Sequence, residues 1–137
     1  MKCRRFDGSE KDKELIHNIC FNCGSTVMKR TFGYIERMMY FDSKKCVFDI
    51  FDESAFFFGV RGKKHLRCIG IAVMKSQQRQ GIGRNILYHE MRKAKLHELN
   101  RMTLRTAKDE TGIEFWLKMG ATIVERKDTY WEMILNF

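Results

Sequence analysis

Residues 73–83 read Val-Met-Lys-Ser-Gln-Gln-Arg-Gln-Gly-Ile-Gly, between the apolar run 68–73 and a long basic amphipathic stretch beginning at Ile82. The pattern predicts a strand, a tight loop and a helix start. A helix N-terminus carries unpaired backbone N–H groups and the positive end of the macrodipole. Two glycines one residue apart, Gly81 and Gly83, let an anion approach that main chain closely. Diphosphate binding is the chemistry on offer. Two familiar forms of it are excluded. A P-loop needs a lysine for the phosphates and a Ser or Thr hydroxyl for magnesium, whereas here Gly83 is followed by Arg84 and neither group is present. A dinucleotide fingerprint needs a third glycine where Ile86 stands and a carboxylate about twenty residues on, where the chain has Arg101, Met102 and Thr103.

A second constellation, His17, Cys20 and Cys23, has the His-x-x-Cys-x-x-Cys spacing of a partial zinc site. No second Cys-x-x-Cys completes a tetrahedron. The expected role of the two thiols is that of small hydrophobes on the inner face of a helix, and no metal is expected. With Cys3, Cys46 and Cys68 they make an odd set of 5 without repeating spacing, which argues for reduced thiols and against a disulfide framework.

The stretch Gln78-x-x-Gly81-x-Gly83, following Ile71-Ala-Val73, resembles the acetyl-CoA-binding signature of the GNAT acetyltransferase superfamily, Gln or Arg-x-x-Gly-x-Gly or Ala. Phe115-Trp-Leu-Lys-Met-Gly-Ala121 is similar to the second signature of that family. The resemblance implies one acetyltransferase domain over residues 1–137, with acetyl-CoA as cosubstrate and a primary amine attacking it directly in a ternary complex. It also assigns roles by position. The main chain of Ile71 and Val73 would pair with the pantetheine arm, and the Val73 amide would donate to the oxyanion. Gln78, Arg79, Gln80, Gly81, Ile82 and Gly83 would present backbone N–H groups to the pyrophosphate, with Arg79 or Arg84 adding charge-assisted contacts. Asp109 stands where many members have an Asn near the pantetheine, and Trp116 would pack beside the thioether.

The chain departs from the family pattern at the proton-transfer groups. Trp116 replaces the tyrosine that usually protonates the leaving thiolate, and Arg67 stands where several members carry a glutamate base on the fourth strand. His65 shares strand parity with Arg67 and has an ordinary pKa of about 6.5, which makes it the candidate base. Tyr130, at the start of the last strand, is the candidate acid, and Asp49 and Glu53 are further candidate bases. With both usual groups replaced, the alternative is a CoA-binding or interaction module that acts through its basic surface.

Positioning these residues takes a sheet and several helices. Residues 2–6 read as a short strand, Asp7-Gly8 as a turn, and Ser9 with Asp12 as the cap of a helix. In that helix Leu15, Ile16, Ile19, Cys20 and Cys23 recur at three and four residues, up to Gly24. A second short helix is expected over 32–39. Residues 46–51, 55–60 and 65–74 form an antiparallel meander, its second strand buried on both faces and its third feeding the glycine loop. Ile82, Ile86, Leu87, Met91 and Ala94 line one face of the next helix, and Arg84, His89, Arg92, Lys93, Lys95 and His97 form its solvated faces. A strand at 102–106 follows. A short helix is opened by the box Thr111-Gly-Ile-Glu114 and stopped by Gly120, and strands at 121–125 and 130–135 end the chain. The order β, α, α, β, β, β, α, β, α, β, β makes a mixed α/β fold, a mostly antiparallel sheet of about seven strands with about four helices. The resemblance adds a splay between the fourth and fifth strands.

At 137 residues, 44% hydrophobic, the chain suits one domain. A net charge of +9 favours polyanionic partners: a nucleotide cofactor, an acidic protein surface or nucleic acid, the last not favoured because the helical cations read as a solvated face. No apolar run approaches the roughly eighteen residues of a membrane helix, and Met-Lys-Cys-Arg-Arg-Phe-Asp lacks the apolar stretch of a secretory signal, so a cytoplasmic monomer or homodimer is expected. By the resemblance, the acceptor pocket involves residues 21–34 and 126–129. Lys29, Arg30, Arg126 and Lys127 give it a basic rim that disfavours polycationic amines.

Overall fold

A computed structural model describes residues 1–38, 44–108 and 112–137, the side chains of residues 26, 27 and 38 excepted. Its elements are β1 (Cys3–Arg5), α1 (Glu10–Phe21), α2 (Thr26–Met38), β2 (Cys46–Phe51), β3 (Ala55–Arg61), β4 (Leu66–Val73), a single 3-10 turn (Lys75–Gln77), α3 (Ile82–Leu96), β5 (Arg101–Ala107), α4 (Gly112–Lys118), β6 (Thr122–Arg126) and β7 (Tyr130–Asn136). The strands form one sheet in the order β1-β2-β3-β4-β5-β7-β6. Neighbours run antiparallel except β4 and β5, which are parallel and joined by α3. This is the mixed architecture expected from the order of elements. Among the described residues no helix is long and apolar enough to cross a membrane.

Local chemistry accounts for most boundaries. Ser9 Oγ accepts from Asp12 N at 3.1 Å and opens α1. The second helix differs from the expected span: α2 begins at Thr26, not at Phe32. Ser25 explains the difference, because its Oγ accepts from Met28 N at 3.2 Å and caps the helix a turn and a half earlier. Met39, the last residue of the expected span, and Thr111, the first of the expected box, lie outside the described residues.

Helices cover the sheet on both faces. α3 and α4 pack over Val47, Phe51, Phe57, Leu66, Met102, Leu104 and Met133, while α1 and α2 pack over Phe48, Ile50, Phe56, Phe58 and Ala72. β3 lies between the two cores and sends alternate phenylalanines into each, which is why its sequence is apolar without alternation.

One irregularity shapes the middle of the sheet. Phe58 pairs with Gly70, but the next residue, Gly59, pairs with Cys68, so Ile69 is an extra residue on β4. A bulge bends its strand and increases the twist. The ladder between β4 and β5 runs from Leu66↔Met102 to Cys68↔Leu104 and ends there, at the bulge. Beyond it the two strands diverge. The bulge also exchanges parity: Leu66 and Cys68 pack toward α3 and α4, and so do Ile71 and Val73. Gly59 makes room for this geometry. A Cβ there would lie 2.7 Å from Arg67 O and 2.9 Å from the Phe57 ring.

Glu90 is an unexpected member of the α3 core face. It is buried beside Ile86, Leu87 and Ala94 at 1% exposure. Burial first, and Asp49 beside it second, push its pKa up to about 9, so it is protonated at neutral pH.

Two stability measurements follow. Gly59→Ala should lower unfolding free energy in urea by about 1–3 kcal/mol, since backbone and a ring must both yield. Glu90 binds its proton more tightly folded than unfolded. Its contribution is therefore fully present below the unfolded value of 4.5 and is lost as pH rises toward about 9. Glu90→Gln, which keeps the shape and cannot ionise, should gain stability over the natural chain between about pH 5 and about pH 8.5; urea midpoints that keep a constant difference would refute the assignment.

Candidate functional site

The site begins with the direction of the β4 main chain. Met74 N donates to Ser54 O at 2.9 Å, so residue 74, and with it residue 72, turns its polar groups toward β3. Alternation along a strand sends those of Ile71 and Val73 the opposite way, into the gap where β5 has diverged. The N–H of Val73 faces that gap.

The loop after β4 is held from two directions. Gln78 Nε2 donates to Val73 O at 2.8 Å and to Cys23 O at 2.5 Å, and Lys75 N donates to Asn22 O at 2.8 Å, tying the loop to the end of α1. Gln78 N–H donates to Lys75 O at 3.3 Å, so Gln78 acts as a clamp. Gly81 has φ +77°, a conformation that glycine adopts without steric cost. It occupies the N-cap position of α3 and offers no capping side chain. The first helical bond runs from Asn85 N to Gly81 O at 3.0 Å, which leaves the N–H groups of Ile82, Gly83 and Arg84 ahead of the ladder. Arg79, Gln80 and Arg84 are exposed around them. A Cβ on Gly83 would lie 3.2 Å from the Phe115 ring, so the glycine loop and the Phe115 stretch are packed together.

Across the gap stands β5, with β7 paired behind it. Tyr130 pairs with Ala107 at the end of β5, and the Arg105 guanidinium lies 4.7 Å from its ring centroid. Directly paired residues share a face, so Tyr130 and Glu132 lie with Arg105 and Thr103 on the face away from α3 and α4. Arg67 reaches the same place, with Nη1 3.3 Å from Glu132 Oε2 and 3.5 Å from Thr103 Oγ1. Arg105 Nε donates to the other Glu132 oxygen. Burial pushes the Glu132 carboxyl up, but the hydrogen bonds from Arg105 and Arg67 outweigh it and hold the pKa below the usual value. Sequence reasoning missed Glu132; its signal was the shared parity with Tyr130 two residues earlier.

The remaining candidates are dispersed. His65 precedes β4, its O accepting from Gly62 N at 2.8 Å and its ring lying over Gly62. Eight residues of strand separate it from Val73, roughly 26 Å at about 3.3 Å per residue. Trp116 is buried in the core, edge-on to Phe115. Asp109 lies outside the described residues. Asp49 pairs with Lys93, and Glu53 with Arg4. Cys20 and Cys23 are buried, with Cys23 Sγ donating to Cys20 O at 3.4 Å, while the His17 ring stacks on Phe21.

Residues 31–121, which include the glycine loop and the Phe115 stretch, match the Acetyltransferase (GNAT) family. The chain belongs to the GNAT acetyltransferase family. As a GNAT acetyltransferase it is an enzyme of the transferase class. Solved structures similar to it include PaiA N-acetyltransferase from Thermoplasma acidophilum in complex with coenzyme A, with TM-score 0.79, 12% identity, and 99% of this chain and 98% of that one covered. Ard1 from Thermoplasma volcanium has TM-score 0.78 and 18% identity over 98% and 96% of the two chains. A ribosomal-protein-alanine N-acetyltransferase from Escherichia coli has TM-score 0.74 and 16% identity over 98% and 92%. At these identities the likeness is one of fold. A sequence search of curated proteins finds no match.

The clamp can be tested directly. Gln78→Ala removes both bonds from one amide and should cost about 1–2 kcal/mol in thermal unfolding. It should also weaken coenzyme A binding by calorimetry, because the loop loses its tie to α1. A variant that keeps both values would show that Gln78 does not hold the loop.

Proposed function

We propose that this GNAT acetyltransferase moves the acetyl group of acetyl-CoA to a primary amine by direct attack in a ternary complex. One observation carries the reading: the main chain of Ile71 and Val73 faces a gap left by β5, immediately before an uncapped helix N-terminus. Both halves fit the cosubstrate. An extended pantetheine arm carries amides that a strand edge can pair, and a diphosphate takes the N–H groups of Arg79, Gln80, Gly81, Ile82 and Gly83 with the Arg84 cation nearby. Trp116 supports the loop from the core through Phe115.

The acceptor must attack as a neutral amine, and an ammonium of ordinary pKa, about 10.4, first gives up a proton. Of the candidate carboxylates, Glu132 is held by two arginines, Glu53 by Arg4 and Asp49 by Lys93, so water carries that proton to solvent. The amine nitrogen then bonds to the thioester carbon. Val73 N–H stabilises the oxyanion, the C–S bond breaks, and the thiolate takes a proton from Tyr130 or from water. His65 has no part in this path. Positioning and oxyanion stabilisation carry most of the rate. Arg67 and Arg105 beside Tyr130, with Lys29, Arg30, Arg126 and Lys127 on the rim, favour an acceptor that bears a carboxylate or phosphate over a polycationic amine.

A second reading, a CoA-binding module without transfer, is favoured by the arginine at position 67 and the tryptophan at position 116, where the family usually has its base and acid. Calorimetric titration with acetyl-CoA, followed by thiol release over a panel of amines with and without an anionic group, separates the two. The enzyme reading expects binding and acceptor-dependent thiol release, with Tyr130→Phe lowering kcat about a hundredfold at unchanged acetyl-CoA affinity. Binding without release in any amine favours the module, and no binding overturns both.

A further inference from the structure

Cys3 on β1, Asp49 on β2 and His89 on α3 converge at the β1 edge of the sheet, three strands from β4. β1 and β2 pair Cys3↔Phe51 and Arg5↔Asp49, so Cys3, Phe51 and Asp49 share the face toward α3. The His89 ring stands edge-on to Phe51, with centroids 5.4 Å apart, and that packing aims its Nε2 at Cys3 Sγ, 3.5 Å away. One ligand atom from each of the three residues lies within 4.8 Å of the others. In tetrahedral zinc, bonds of about 2.3 Å to sulfur and about 2.0 Å to nitrogen set neighbouring ligand atoms about 3.5 Å apart. The sulfur and nitrogen already have that spacing, and a small turn of the Asp49 side chain brings in the carboxylate.

The Asp49 carboxylate already pairs with Lys93 through Oδ2, and Glu90, 1% exposed, lies beside it with Oε2 3.6 Å from Lys93 Nζ.

We propose that Cys3, Asp49 and His89 form a site for a thiophilic divalent transition-metal ion of the zinc class, with solvent in the remaining coordination position. Thiolate, imidazole and carboxylate make a donor set that such an ion accepts. The ion clasps the first two strands to α3. On binding, the metal displaces the Cys3 thiol proton, which passes to solvent. The cysteine spacing gave an expectation of no metal. The expectation weighed only ligands close in sequence, and these lie on three separate elements.

The test uses the whole chain, freed of metal by a chelator under reducing conditions, and titrated with zinc by calorimetry and with cobalt by absorption. One equivalent should bind, with a thiolate-to-cobalt charge-transfer band and a zinc-dependent rise in Tm. Cys3→Ser should lose the band and the Tm shift and weaken zinc binding at least about tenfold. The Cys20→Ser/Cys23→Ser double variant should keep all three. Cys3 is exposed, so the serine variant should fold, which acetyl-CoA binding equal to the natural chain checks. Absence of stoichiometric uptake, uptake unchanged by Cys3→Ser, or uptake abolished in the Cys20/Cys23 variant overturns the proposal.

Discussion

Ile69 has no partner on β3, and Gly59 opposite has no side chain to block the Arg67 carbonyl that the bend brings against it. This local misfit decides what the middle of the sheet can do. A regular β4 would continue its ladder with β5 past Cys68 and use up the polar groups of Ile71 and Val73 in sheet hydrogen bonds. With the bulge, the ladder stops and a strand edge opens inside the sheet. Unpaired edges are costly to leave and ready to pair with another extended chain. An internal edge has the further property that its neighbours cannot slide in to cover it, since β5 is held by seven paired positions with β7.

The glycine loop depends on the same bend. β4 delivers Val73 to a point where Gln78 can reach back to its carbonyl and across to Cys23, so one amide links the strand end, the loop and the end of α1. On the other side Gly83 lies against Phe115 of α4. The loop is thus referenced to the cores on both faces of the sheet. An anion site made of backbone N–H groups gains from that arrangement, because donors fixed beforehand need no reorganisation when charge arrives.

The elements were legible because each carries its own local signal: the caps at Ser9 and Gly81, the period of Ile82, Ile86 and Leu87, the unbroken apolar run of β3. The early start of α2 was legible as well, in Ser25, but that serine sits among residues without helical periodicity. The loop was readable as a unit because its function is local, a strand end followed by a helix start. What sequence could not give were relations between strands. A bulge exists only as a mismatch with a partner, so nothing in residues 66–73 alone announces Ile69. Parity links His65 to Arg67 but says nothing of distance along the strand, and His65 lies just before β4, at the end away from Val73. Glu132 and Glu90 were hidden for a similar reason. Charge alone points such residues to solvent, whereas their spacing, with Tyr130 in one case and with Ile86 and Ala94 in the other, places them on occupied faces.

The arginine at position 67 changes what the acceptor side asks of chemistry. A carboxylate there would act as a base, and a base works best with a pKa near the working pH. Glu132 is instead held ionised by Arg67 and Arg105, which disables it as a base and leaves two guanidinium groups sharing one negative charge. The net local charge is positive. Nearby positive charge disfavours the ammonium form of an incoming amine and lowers its pKa, so the neutral nucleophile is easier to reach. In the proposed reaction, part of the work of the missing base is thereby moved from a proton acceptor to the electrostatic field. The same field is the ground on which the proposal favours an acceptor with its own anionic group: that group would compensate the arginines while its amine, displaced from them, would approach the gap at Val73.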